Sequence, residues 1–120
     1  MTRPLAVKIT CGVEAPERAN QGLTVAGAAV AAGAEVSLWL TGDAVWFGVR
    51  GRCPDLGLEH ATPAADLVEV VRTGGRITVC SQCAARRSLT EDDLVEGARI
   101  AGAASFTELV LQPDVQALVY

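Results

Sequence analysis

The chain has no surplus of positive charge. Its 10 Lys and Arg are outnumbered by 14 Asp and Glu, for a net charge of −4. Sequence-blind nucleic-acid binding neutralises phosphates with Lys and Arg, so no nucleic acid is expected as a partner. Histidine is limited to one residue, His60. No Ser-His-Asp order can therefore be argued, and acid–base work near neutral pH would fall to His60 or to a shifted carboxylate. None of the glycines follows the spacing of a phosphate loop or a dinucleotide fingerprint, which weighs against nucleotide-dependent chemistry. Also missing is an uninterrupted apolar run. The stretch from Leu23 to Leu40 is broken by Glu35, diluted by Gly27, Gly33 and many alanines, and changes from helical to strand-like period near Gly33. It reads as helix, turn and strand, so no membrane span is expected. Met1-Thr2-Arg3-Pro4 leads straight into a strand-like run without the pattern of a signal peptide, and the expected location is cytoplasmic. There is no internal repeat, low-complexity tract or linker.

What is present is the balance of one globular domain over residues 1–120, half hydrophobic and one fifth charged. Leu5 to Cys11 alternates like a strand and meets Gly12. Pro16 suits the start of a helix, with Ala19, Leu23, Ala26 and Val30 at helical spacing and Gly33 ending it. The small residues on this helix suggest close packing on a sheet. Glu35 to Thr41 is a second strand and Asp43 to Phe47 a short helix. Gly48 to Ala61 is an irregular loop. Thr62 caps a helix carrying Leu67, Val70 and Val71, which Gly74-Gly75 stops. Arg76 to Cys80 is the third strand. Thr90 caps a short acidic helix, Arg99 to Ala101 is a brief strand, Ser105 with Glu108 resembles a capping box for a helix through Leu111, and Gln116 to Tyr120 is the last strand. Strands alternating with helices imply an α/β fold with a mostly parallel sheet covered on both faces.

Chemistry concentrates at Val79-Cys80-Ser81-Gln82-Cys83-Ala84-Ala85-Arg86-Arg87. In parallel α/β sheets, ligands sit beyond the carboxyl ends of the strands. A CxxC pair there, followed by Arg86 and Arg87, places thiols beside fixed positive charge, where the reactive thiolate is favoured. In a reducing compartment the four cysteines point to catalytic or metal roles rather than structural disulfides. Cys11 would lie on the same sheet edge and could be a further relay thiol or a half-buried loop residue. Cys53 and His60, with Cys80 and Cys83, have zinc-compatible side chains, but one half is loosely spaced and no metal site is expected. Asp43 reads as a helix cap, Glu91, Asp92 and Asp93 as a helix amino terminus stabilised by its dipole, Trp39 as core, and Trp46 with Phe47 as lining a pocket, filling an interface or belonging to the core.

The opening Val7-Lys8-Ile9-Thr10-Cys11-Gly12-Val13-Glu14-Ala15-Pro16-Glu17-Arg18-Ala19, the strand Val36-Ser37-Leu38-Trp39-Leu40 with Gly42, and the Val79–Arg87 segment together resemble the DsrE family of small sulfur-handling proteins, including its DsrE, DsrF, DsrH and Tus members. The resemblance implies a three-layer α/β/α domain with a five-stranded parallel sheet, assembly as a homotrimer or hexamer, and sulfur carried as a cysteine persulfide. Cys80 then falls on the sulfur-carrying cysteine of Tus-type members. Cys83 falls where those members have no thiol and other members do. Ser88 replaces the usual glycine after the basic pair. Cys80, Cys83, Arg86 and Cys11 are the expected site, working between sulfur donor and acceptor proteins as a possible sulfurtransferase without an organic cofactor. Two readings stand beside it: a CxxC thiol-disulfide redox protein or sensor, and a non-catalytic oligomeric binding module.

Overall fold

The computed structural model describes residues 3–120. Five parallel strands, β1 (Pro4–Ile9), β2 (Glu35–Leu40), β3 (Arg76–Cys80), β4 (Arg99–Ala101) and β5 (Gln116–Val119), form one sheet in the order β4-β3-β2-β1-β5. Helix α1 (Pro16–Ala31) joins β1 to β2, and α2 (Ala64–Gly74) precedes β3. The short α3 (Ser81–Arg86) follows β3, and α4 (Ala103–Val110) joins β4 to β5. A 3₁₀ helix, Gly42–Gly48, follows β2 after a single residue. The α/β expectation holds, and the apolar Leu23–Leu40 stretch divides into helix, turn and strand with Gly33 at φ +88. Among the described residues no helix is long and apolar enough to cross a membrane.

The sheet direction explains which face each helix covers. The chain steps from β1 through β2 and β3 to β4, then returns to the far side of β1 with β5. Right-handed crossovers require the returning helix on the opposite face from the outgoing ones. Val7, Ile9, Leu38, Leu40, Ile77 and Val79 therefore point into a core shared with Leu23 of α1, Val71 of α2, Phe47, and Cys83 and Ala84 of α3. The opposite face carries Lys8, Trp39, Thr78 and Cys80, and among the helices of the described residues α4 packs there, with its Phe106 edge-on to Trp39 at 5.2 Å between ring centroids. The second helical layer is thus a single short helix.

Close packing of α1 follows from its glycines. A Cβ on Gly22 would stand 2.7 Å from Cγ1 of the fully buried Ile9, whereas one on Gly27 would meet only the Leu67 side-chain tip, at 3.2 Å. Three local expectations need correction. β1 ends at Ile9, so Cys11 lies in the turn beyond it, because the chain must leave the sheet to reach α1. Pro63, not Thr62, stands at the start of α2, with no side-chain cap. α4 begins directly after Gly102, so Ser105 lies inside it and cannot cap; its N–H already bonds the Gly102 carbonyl at 3.1 Å.

The two glycines of α1 offer an internally controlled test. Alanine gains about 1 kcal/mol of helix propensity at either site, while overpacking a filled core costs about 1–3 kcal/mol. Gly22→Ala is expected to lower the urea midpoint, and Gly27→Ala to leave it unchanged or raise it. Equal effects would contradict this packing.

Candidate functional site

Cys80 is at once the last residue of β3 and the residue that starts α3, with φ −60 and ψ 128. No loop intervenes. The strand's alternation turns Val79 into the core and leaves Cys80 half-buried on the face covered by α4. A side chain at this position of a helix faces the backbone N–H groups of the first turn. No side-chain capping hydrogen bond closes there. Burial is the largest single influence and opposes ionisation, but the Cys83 backbone N–H, the Cys83 thiol, the Gln82 backbone N–H and the Lys8 charge together outweigh it, holding Cys80 below the ordinary thiol value.

Cys83 lies one turn on and is buried, facing the core. Its sulfur accepts the Gly42 backbone N–H at 3.1 Å. Gly42 has φ +55, and a Cβ there would come within 2.9 Å of the Thr10 carbonyl oxygen, so glycine is required where the turns after β1 and β2 meet. The two arginines separate in role. Arg87 pairs with Asp43 Oδ1 at 2.7 Å and donates to the Cys83 carbonyl at 3.1 Å, tying α3 to the 3₁₀ helix. Arg86 is exposed and donates to Gln82 Oε1 at 3.2 Å. The charge that helps to lower the Cys80 pKa is that of Lys8, the smallest of these influences. Asp43 is therefore a partner of Arg87 and not a helix cap, the helix starting after Thr41.

Cys11 is buried in the core cluster, its thiol near the Ala15 carbonyl at 3.8 Å. Burial pushes its pKa up, aided by Glu14 and only partly offset by Arg18. It shares the carboxyl edge with the CxxC turn through Gly12, whose absent Cβ would stand 2.8 Å from the Asp43 carbonyl oxygen. Cys53 sits in the long loop, half-buried, its pKa also raised by burial. His60 is exposed in the same loop. Among the described residues no three His, Cys or carboxylate side chains are gathered as metal ligands. The acidic triplet is structural: Asp93 accepts the Thr90 N–H at 2.8 Å, and Glu91 accepts the Ile100 N–H at 2.8 Å. Phe47 is fully buried, while Trp46 stacks under Arg52 at 4.2 Å beside Asp43, lining a cavity of about 210 Å³.

Lys8 is the residue that sequence reasoning missed. Its signal is a charge at a strand position flanked by Val7 and Ile9, which places it on the face opposite the core. Only the strand order, with Lys8 abreast of Trp39 and Trp39 abreast of Thr78, shows that this is also the face of Cys80.

The DsrE/DsrF-like family model matches residues 5–116 of the chain. A protein of Methanopyrus kandleri is 32% identical over 104 residues, covering 84% of this chain and 84% of the relative. Another, from Methanocaldococcus jannaschii, is 31% identical over 104 residues, covering 84% of this chain and 89% of the relative. In fold the chain is similar to the ychN protein of E. coli, with a TM-score of 0.80 at 20% identity over the whole of both chains. It is also similar to protein MTH1491 of Methanobacterium thermoautotrophicum, with a TM-score of 0.66 at 13% identity, again over the whole of both.

Native-state alkylation of Cys80, followed across pH, distinguishes the cations. Lys8→Met is expected to move the midpoint of the Cys80 rate profile upward, towards the ordinary thiol value. Arg86→Gln and Arg87→Gln should leave it in place, although Arg87→Gln should cost up to about 1 kcal/mol of stability as a part-exposed ion pair is lost. An upward shift in the arginine variants alone would contradict the assignment.

Proposed function

The chain belongs to the DsrE/DsrF-like family, and from that premise we propose that it is a cysteine persulfide carrier, relaying sulfur from a donor protein to an acceptor protein through Cys80. The observation that carries this reading is the half-exposed Cys80 thiol at the junction of β3 and α3, held towards its thiolate by backbone N–H groups and Lys8. Loading is attack by the Cys80 thiolate on the outer sulfur of the donor's persulfide. The new S–S bond forms on Cys80, the donor's S–S bond breaks, and its electron pair leaves on the donor thiolate. Unloading is the same step with an acceptor thiolate as nucleophile. No organic cofactor takes part. Cys11, buried and with its pKa raised, is a poorer nucleophile and stands behind Cys80 in this scheme.

The carrier acts as a homotrimer or hexamer in the cytoplasm. Exposed Leu111 and Val119, near the β5 edge of the sheet, support self-association.

A second reading draws on one specific observation, the placing of Cys83 in the first turn of α3, three residues on from Cys80. Cys83 as thiolate can attack Cys80 Sγ, the inner sulfur of the persulfide on a loaded chain, with the outer sulfur as leaving group. The Cys80–Cys83 disulfide forms and hydrosulfide leaves. The buried Cys83 sulfur, already accepting the Gly42 N–H, makes this step slower than transfer to an acceptor.

Mass spectrometry after exposure to a persulfide donor tests both. The wild type is expected to gain one sulfur on Cys80, Cys80→Ser none, and Cys83→Ala to keep its sulfur while releasing no sulfide by itself. A wild type that gains no sulfur would overturn the carrier reading. Prompt and complete sulfide release with disulfide formation would favour the second.

A further inference from the structure

The face that bears Cys80 also carries two arginines without carboxylate partners. Arg76, Thr78 and Cys80 occupy alternate positions of β3 and so share that face. The register sets Arg99 of β4 beside Thr78 on one side and Trp39 of β2 beside it on the other. Between these strands and Ser105 and Leu109 of α4 lies a cavity of about 460 Å³, within the range of small-molecule sites, roughly 300–1,000 Å³. Arg76 and Arg99 both line it, and neither forms an ion pair among the described residues. In a chain of net charge −4, two such cations on one trench are a local reversal of sign.

The rest of the lining suits an organic acid. Arg76 donates to Ser37 Oγ at 3.3 Å, which steadies one guanidinium while leaving its other donors free. Trp39 and Leu109 supply apolar surface. The indole Nε1 of Trp39 is buried with no acceptor among the described residues. Guanidinium groups match carboxylates in fork geometry. Thr78 and Cys80 are two residues apart on an extended strand, about 7 Å. Arg99, abreast of Thr78, is therefore about 7 Å from Cys80 along the strand and Arg76 about 13 Å, so a donor held by its acid group in the trench must reach roughly 7–13 Å to present its outer sulfur at Cys80, which lies beyond the trench lining.

We propose that this trench receives the acid end of a low-molecular-weight persulfide, an organic carboxylate that presents its outer sulfur to Cys80. The proposal rests on Cys80 being the sulfur carrier and adds a donor class to it. The step is Cys80–S⁻ with R–S–SH, giving Cys80–S–SH and R–S⁻. The Cys80–sulfur bond forms, the donor S–S bond breaks, its electron pair leaves with the donor thiolate, and the proton stays on the transferred sulfur. No oxidant or reductant is consumed.

The test compares two probes on the full chain: glutathione persulfide, which bears carboxylates, and 2-hydroxyethyl persulfide, which bears none. The measured quantity is the second-order rate constant for loading Cys80. The wild type is expected to prefer the acid-bearing probe. In Arg76→Gln/Arg99→Gln that preference should fall by roughly tenfold or more, the usual scale for losing charge-assisted hydrogen bonds. Both arginines are exposed, so the variant should fold, and a general structural loss would slow both probes and leave their ratio intact. An unchanged ratio, or no preference in the wild type, would overturn the trench as a donor site while Cys80 remained the carrier. No loading of the wild type by either probe would overturn the carrier reading, and the trench assignment with it.

Discussion

The direct passage from β3 into α3 is the constraint on which the rest depends. Had a loop intervened after Val79, the cysteine would lie on flexible chain, away from any ordered set of N–H groups. Because Cys80 closes the strand and opens the helix, its sulfur is fixed in direction by the sheet and in electrostatics by the first turn of the helix. Its influences oppose one another. Partial burial works against the thiolate, while the Cys83 N–H, the Cys83 thiol, the Gln82 N–H and Lys8 work for it, and the balance favours ionisation. The remaining cysteines with resolved shifts, Cys11 and Cys53, have burial as the leading effect and move the other way.

Holding that junction still is the task of the neighbouring turns. The Asp43–Arg87 pair, the Arg87 contact with the Cys83 carbonyl and the Gly42 N–H on the Cys83 sulfur bind α3 to the 3₁₀ helix after β2. Glycine at positions 12 and 42 lets the turns after β1 and β2 approach closely enough to do so. The arginines that follow CxxC thus include one clamp and one surface residue. The reversal of direction that sends β5 beyond β1 leaves the Cys80 face under a single short helix. That thin cover keeps the sulfur accessible and leaves the trench beside α4 open to a ligand.

Much of this was legible in the sequence, for identifiable reasons. The bounds of β3 and β4 follow from Gly74-Gly75 before Arg76 and from the brevity of the Arg99–Ala101 run, and the structure has both strands there. The split of the Leu23–Leu40 stretch followed from Glu35 and Gly33. Capping was less legible. Ser105 with Glu108 imitates a box, but Gly102 lets the helix begin earlier, and nothing local distinguishes the two starts. The electrostatics of the thiol were least legible. Proximity in sequence favoured Arg86 and Arg87, yet the charge that helps to lower the Cys80 pKa is that of Lys8, 72 positions before it, since strand order and register put both on one face. The Asp43–Arg87 pair escaped for the same reason: it joins residues separated by 44 positions.

The central claim is that the folded chain keeps the Cys80 sulfur more acidic than a free thiol. A carbon-13 NMR titration of the Cys80 Cβ in the intact reduced protein tests it most directly. The account predicts a midpoint below the roughly 8.5 of an unperturbed cysteine. A midpoint at or above that value would show that burial wins at the junction and would contradict the account.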